Sequence, residues 1–257
     1  MSGFEWLPPD ISATFFVILV LTSFCTSALT GAFGLGGGML MLVVLSMGLP
    51  MATVLPLHGI VQLGSNISRS LIQRRYIERS LFLWFALGSM LGVLTGGAVV
   101  FSIPDALLKM LLAVFIMWTV FGRKHRLSTF SRRWLVGGGF LTGLASMFVG
   151  ATGPLVAAVL SAGKLQKHAL VATQAASMVA QHGLKVLLFG GLGFAYGAWA
   201  FLLVLMIGAG YVGVYAGSQL LERLPERYFE IGFKTIMAVA CMQLLWSALR
   251  DAGLFVF

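Results

Sequence analysis

Two stretches of the chain share one order of apolar and polar positions. Residues 34–69 and residues 149–185 each run as a glycine-interrupted apolar stretch, a short apolar run, a loop, and a helix with a polar stripe. On the first helix, predicted over residues 51–72, His58, Gln62, Ser65, Asn66 and Arg69 follow one another at three- to four-residue steps, with Ser65 and Asn66 adjacent. That spacing puts them on one face. Gln174, Ser177, Gln181, His182 and Lys185 repeat the stripe on a helix over residues 168–190. Apolar runs of about 20 residues cover 11–30, 51–72, 81–101 and 201–221, each long enough to cross about 30 Å of hydrocarbon.

Both glycine-interrupted stretches break the helical pattern. The string Gly34-Leu35-Gly36-Gly37-Gly38 cannot be an ordinary helix interior, since each glycine costs about 0.8–1 kcal/mol relative to alanine. The string Gly150-Ala151-Thr152-Gly153-Pro154 repeats the break, with Pro154 placed to open the next helix. Residues 38–48 and 153–163 would then be half-length helices of about 16 Å at 1.5 Å per residue. Their N-termini would aim partial positive charge and N–H groups at the midplane, a site for an anion. A phosphate-binding loop is excluded, because no Lys-Ser/Thr follows Gly38.

The halves align at an offset of 116 residues, which pairs Gly34 with Gly150, Thr26 with Thr142, Ser65 with Gln181, Asn66 with His182 and Arg69 with Lys185. Further on, an offset of 121 pairs Pro104 with Pro225 and the ladder Gly88/Gly92/Gly96 with Ala209/Gly213/Gly217. The expected organisation is one transmembrane domain made of a first repeat, 1–128, and a second repeat, 129–257. The small-residue ladders let helices approach closely, within the protomer or in a homodimer.

Composition fixes the solvent. The chain is 59% hydrophobic and 10% charged, with a mean hydropathy of +0.96, too apolar for a water-soluble domain of 257 residues. The net charge of +9 comes from short loops around Arg74 to Arg79, Arg123 to Arg133, Lys164 to Lys167, and Arg223 to Arg227. This distribution marks the cytoplasmic side and not a nucleic-acid surface. From it follow N- and C-termini outside, an odd number of crossings per half, and repeats of inverted topology. About ten hydrophobic segments result, some of them half-spanning. Glu5 and Asp10 argue against a cleavable signal. Cys25 and Cys241 are expected to be packed thiols, since neither has a CxxC or histidine neighbour.

The candidate chemistry is that of an anion site. The expected contacts are Gly36, Gly37, Gly38 and Met39 at the first break, and Thr152, Gly153 and Pro154 at the second. They are joined by the two stripes, because polar residues in a span face the protein interior. Arg69 and Lys185 are expected at opposite mouths, drawing the anion in. His58 and His182 can exchange protons near neutral pH, which leaves open a coupling proton or ion. All eight acidic residues fall at termini, loops or helix ends, so a cation carrier loses ground. No catalytic constellation or metal cluster is present in the sequence; an enzyme, a cofactor and a metal are not expected.

The segments GAFGLGGGM, LSMGLP and VGATGP, together with the proline-led final helices, resemble the TauE/SafE family, also called sulfite exporters or the toluenesulfonate uptake permease group. The resemblance covers nearly the whole chain and rests on order and duplication. It implies a multi-pass secondary transporter of the bacterial inner membrane for sulfite, sulfoacetate or another organosulfonate, and in that membrane the loop charges would put both termini in the periplasm. Thr152 and Pro154 depart from the all-glycine pattern of the first break, which makes the half-sites unequal. The competing expectations are a channel-like anion pore and a non-transport membrane assembly factor.

Overall fold

Helices that are apolar on every side pack with only part of their surface against the protein and leave the rest to lipid. The computed structural model describes residues 7–8, 11–33, 36–122, 131–220 and 226–252. Among these the chain is all helical, with ten α-helices: α1 (Ala13–Phe33), α2 (Gly37–Gly48), α3 (Met51–Ile72), α4 (Arg79–Gly97), α5 (Asp105–Phe121), α6 (Arg132–Val149), α7 (Gly153–Ser161), α8 (Lys167–Gly191), α9 (Ala200–Leu220) and α10 (Glu226–Asp251). By length and composition, Ala13–Ala32, Arg79–Gly97 and Tyr196–Gln219 can each cross a membrane.

The run over residues 51–72 does form a helix, α3, but it does not rank with those three spans. Its polar stripe lowers its hydropathy, and the stripe is buried against protein. The short helices are shorter than a bilayer: twelve residues in α2 and nine in α7 give about 18 and 14 Å. Pro154 occupies the first turn of α7, and Pro104 precedes α5, whose first turn carries Asp105. Gly34, Leu35 and Pro225 lie outside the described residues, as do Arg123, Lys124, Arg126 and Arg223 of the basic loops.

Small residues set the closest helix pairs. On α4, a Cβ at Gly88 or Gly92 would overlap the carbonyl oxygens of Val136 or Phe140 on α6. On α9, Gly213 and Gly217 meet the carbonyls of Phe24 and Ala28 on α1 in the same manner. Both ladders are therefore used for packing inside one chain. The helix pair α3 and α8 runs through the middle, with α2 and α7 laid against it. Met41, Leu42, Leu45, Leu55 and Leu57 anchor the larger apolar core, while Phe85, Val156 and Leu160 anchor a smaller one.

The two ends of the bundle differ in charge. At one end Tyr76 stacks on His168 at 5.3 Å, Arg132 lies over the Trp84 ring, and the Glu78 N–H donates to Thr173 Oγ1. At the other, Lys109 pairs with Asp105 at 2.9 Å and with Asp251 at 2.6 Å, and Asp105 also accepts from the Met51 N–H. Cys241 is packed as expected, with its thiol 3.7 Å from the Ala113 carbonyl oxygen. Cys25 corrects the other half of that expectation. It lies exposed on the outer face of α1, because its neighbours Ser23, Thr26 and Ser27 take the inward positions.

Candidate functional site

Two backbone breaks define the site. Gly36, ahead of α2, has φ 96°, and Gly150, at the end of α6, has φ 72°. Residues with a Cβ rarely adopt that left-handed region, so glycine lets the chain turn there without strain. The short helices α2 and α7 then start beside α3 and α8. A small cavity lies between them, lined by Gly36, Gly38 and Met39 from the first break and Ala151, Gly153 and Pro154 from the second. The side chains of Thr30, His58, Gln62, Asn66, Arg69, Met178 and His182 complete its wall.

Ten of the residues expected at the site therefore line this cavity. The other seven do not: Gly37, Ser65, Thr152, Gln174, Ser177, Gln181 and Lys185 lie behind or beside it. Several hold the frame. Thr152 Oγ1 donates to Gln181 Oε1 at 2.7 Å, and Gln181 Nε2 reaches Ser89 Oγ at 3.3 Å and Thr142 Oγ1 at 3.4 Å. Gln174 Nε2 donates to the Gly153 carbonyl at 3.0 Å, which fixes the start of α7. At the other break His58 Nε2 lies 2.9 Å from the Gly38 carbonyl oxygen. A carbonyl only accepts, so this nitrogen carries the hydrogen. Each break is thus tied by a side chain from the helix next to it.

The cations are not at open mouths. Arg69 is only 3% exposed; it donates to Asn66 Oδ1 at 2.8 Å and faces the Thr30 carbonyl at 3.5 Å. Lys185 is wholly buried and donates to the Ser146 carbonyl at 2.9 Å. Both positions lie on the inward polar stripes, and a nearby helix carbonyl captures each charge before it can reach a surface. Burying a charge in low dielectric requires such a partner.

Among the described residues, the two histidines at the cavity are poorly satisfied. Their rings meet edge to face with centroids 5.8 Å apart, and both are fully buried. Among the described residues, His58 Nδ1 and both ring nitrogens of His182 have no hydrogen-bond partner, nor does Ser177 Oγ. A buried polar atom without a partner costs about 1–3 kcal/mol, so its partner is expected to come from what the cavity holds. Among the described residues no carboxylate lines the cavity, and no cluster of His, Cys, Asp or Glu could hold a metal ion.

Sequence reasoning missed Thr30, Ala151 and Met178 in the wall, and Ser89, Thr142 and Ser146 behind it. Thr142 and its counterpart Thr26 were visible as a matched pair. Thr30 carried the signal of a polar residue one turn ahead of the first break. Lys109 gave little sign, since it is one charge in a helix otherwise apolar after Asp105.

A family model described as sulfite exporter TauE/SafE matches residues 19–244. No curated protein and no solved structure matches the chain.

Proposed function

The chain belongs to the sulfite exporter TauE/SafE family of membrane transporters, and from that premise we propose that it moves a small sulfur-containing anion, sulfite or an organosulfonate, by alternating access. The observation that carries this reading is the cavity between the two breaks. Two helix N-termini, the Gln62 and Asn66 amides, the Arg69 guanidinium and two imidazoles border it, and among the described residues no carboxylate does. That wall is rich in donors and positive charge, which selects an anion. Met39, Pro154 and Met178 give it an apolar side against which a small organic group can rest.

The same reading includes two repeats, 1–128 and 129–257, of inverted topology, in a bacterial inner membrane with both termini periplasmic. Its support is the matched order of five helices before and after residue 131, and the matched packing of α4 on α6 and of α1 on α9. The charge of the loop around Arg74 to Arg79 and of Arg132, at the end where Tyr76 meets His168, supports that orientation. Rocking one repeat against the other would expose the cavity to each side in turn.

The test is uptake of sulfite or methanesulfonate by proteoliposomes holding the purified protein. Saturable flux with counterflow is expected, and replacing both Gln62 and His182 by alanine should lower it at least about tenfold, the equivalent of about 1.4 kcal/mol. Flux that does not respond to the double replacement removes the site assignment. Conductance without saturation or counterflow would make the protein a pore.

A further inference from the structure

The anion-site reading leaves one feature unused: three imidazole nitrogens that face no partner. With its Nε2 hydrogen committed to the Gly38 carbonyl, neutral His58 keeps a bare lone pair at Nδ1. Neutral His182 keeps one bare lone pair and one unused N–H. A fully ionised anion such as a sulfonate offers only acceptors. It can take the His182 N–H, but it leaves both lone pairs as bare as before.

A proton changes that balance. On His182 it turns a lone pair into a second donor and sets a positive charge beside the anion. We propose that His58 and His182 form a proton-binding pair, centred on His182, that loads about one proton with each anion, so that anion and proton cross together. The proton comes from the aqueous side to which the site is open and leaves with the anion on the other. This proposal rests on the anion-site reading.

The surrounding charges make the two loadings depend on each other. Of the other titratable groups on the elements around the pair, Arg69 on α3 and Lys185 on α8 are buried cations. The short helices α2 and α7 carry no titratable side chain, and α1 carries only the exposed Cys25. Helices α4 and α6 have Arg79, Arg132 and Arg133 only in their first turns, at the basic end. Asp105 and Lys109 of α5 sit at the far end, by Met51, and Tyr211 and Tyr215 of α9 face outward. The Tyr196 hydroxyl is taken by the Val186 carbonyl. Like charges therefore repel a proton from the empty site, and an anion relieves that repulsion.

The pair is not a product of the duplication. At the 116-residue offset, His58 matches Gln174 and His182 matches Asn66, so each histidine replaces an amide. Gln174 ties its break as His58 does, yet it cannot hold a proton. The site gains its proton acceptors by departing from symmetry.

The test uses the full-length protein in detergent with methanesulfonate, which stays ionised near neutral pH, so any proton taken up binds the protein. Calorimetric titration in buffers of different ionisation enthalpy should report uptake of about one proton per anion, with affinity rising as pH falls. The chain has four histidines. Nitrogen-15 spectra of labelled histidine should show an imidazole signal becoming imidazolium on saturation, identified by its loss in His182→Gln. Binding without proton uptake overturns the proposal and leaves the anion site standing. Uptake with unchanged histidine spectra overturns it too, placing the proton on a group other than these histidines. If neither methanesulfonate nor sulfite binds, the anion-site reading fails and the proposal with it.

Discussion

Lys185 donates its ammonium to the Ser146 carbonyl at 2.9 Å, and 116 residues earlier in both partners Arg69 faces the Thr30 carbonyl at 3.5 Å. Each cation thus reaches the helix that precedes a break and touches it about one turn before that helix ends. A charge held there places positive potential behind the start of a short helix. It does so without contact to the cavity in the case of Lys185.

Lys185→Met should separate the charge from the packing. The Ser146 carbonyl already accepts from the Gly150 N–H at 3.1 Å, so losing the lysine leaves no bare acceptor. A fully buried cation is costly to keep, so thermal stability in detergent should hold or rise. Anion flux should fall about tenfold or more. A variant with wild-type flux would show that the charge is dispensable.

The two breaks should respond unequally to one extra methyl group. At Gly37 a Cβ would overlap the Thr26 carbonyl oxygen and Thr30 Oγ1, whereas at Gly153 the nearest atom is Gln174 Nε2 at 3.7 Å. Gly37→Ala should cost about 1–3 kcal/mol or more, seen as a lower unfolding temperature or lost yield, and Gly153→Ala much less. Equal losses would contradict this packing.

Along the helices, Gly92 and Gly137 make a second contrast. A Cβ at Gly92 would strike the Phe140 carbonyl oxygen, while at Gly137 no atom lies within 4 Å. Gly92→Ala should push α4 from α6 and destabilise the protein by about 1–3 kcal/mol. Gly137→Ala should be neutral or stabilising by up to about 1 kcal/mol from helix propensity alone. Thermal unfolding of the two variants reads the difference.

Thr152→Val should test the frame behind the cavity. The substitution keeps the shape but removes the donor to Gln181 Oε1, leaving a buried acceptor unsatisfied. The expected cost is about 1–3 kcal/mol in unfolding. Flux should fall as well, since Gln181 also reaches Ser89 and Thr142. Unchanged stability would show that the Thr152–Gln181 bond does not hold the frame.

Lys109→Met should loosen the end of the bundle where α5 meets α10. It leaves Asp105 and Asp251 facing each other without their cation. Both carboxylates are about a third exposed, so the loss should be modest, about 1 kcal/mol, and smaller in high salt. Flux measured at two salt concentrations, beside unfolding, would show whether that end matters for transport.

Much of the frame was legible in the chain. The runs around residues 11–30, 81–101 and 201–221 became α1, α4 and α9, because nearly continuous apolar sequence of that length has few other options in lipid. Glycine and proline fixed both breaks locally, through backbone conformations other residues avoid. The spacing of His58, Gln62, Asn66 and Arg69 already put them on one inward face.

Periodicity reports the face of a helix, not which atom on the facing helix lies opposite it. Only the tertiary packing decided that Gln62 and His182 border the cavity while Gln181 turns away to bind Thr152 and Lys185 turns to Ser146. The same packing took Arg69 and Lys185 away from the expected mouths, since each met a carbonyl within reach of its side chain. It also set His58 and His182 side by side, though 124 positions separate them in the chain. Local chemistry determined the helices and their breaks. The choice of neighbours across α3 and α8 determined the site.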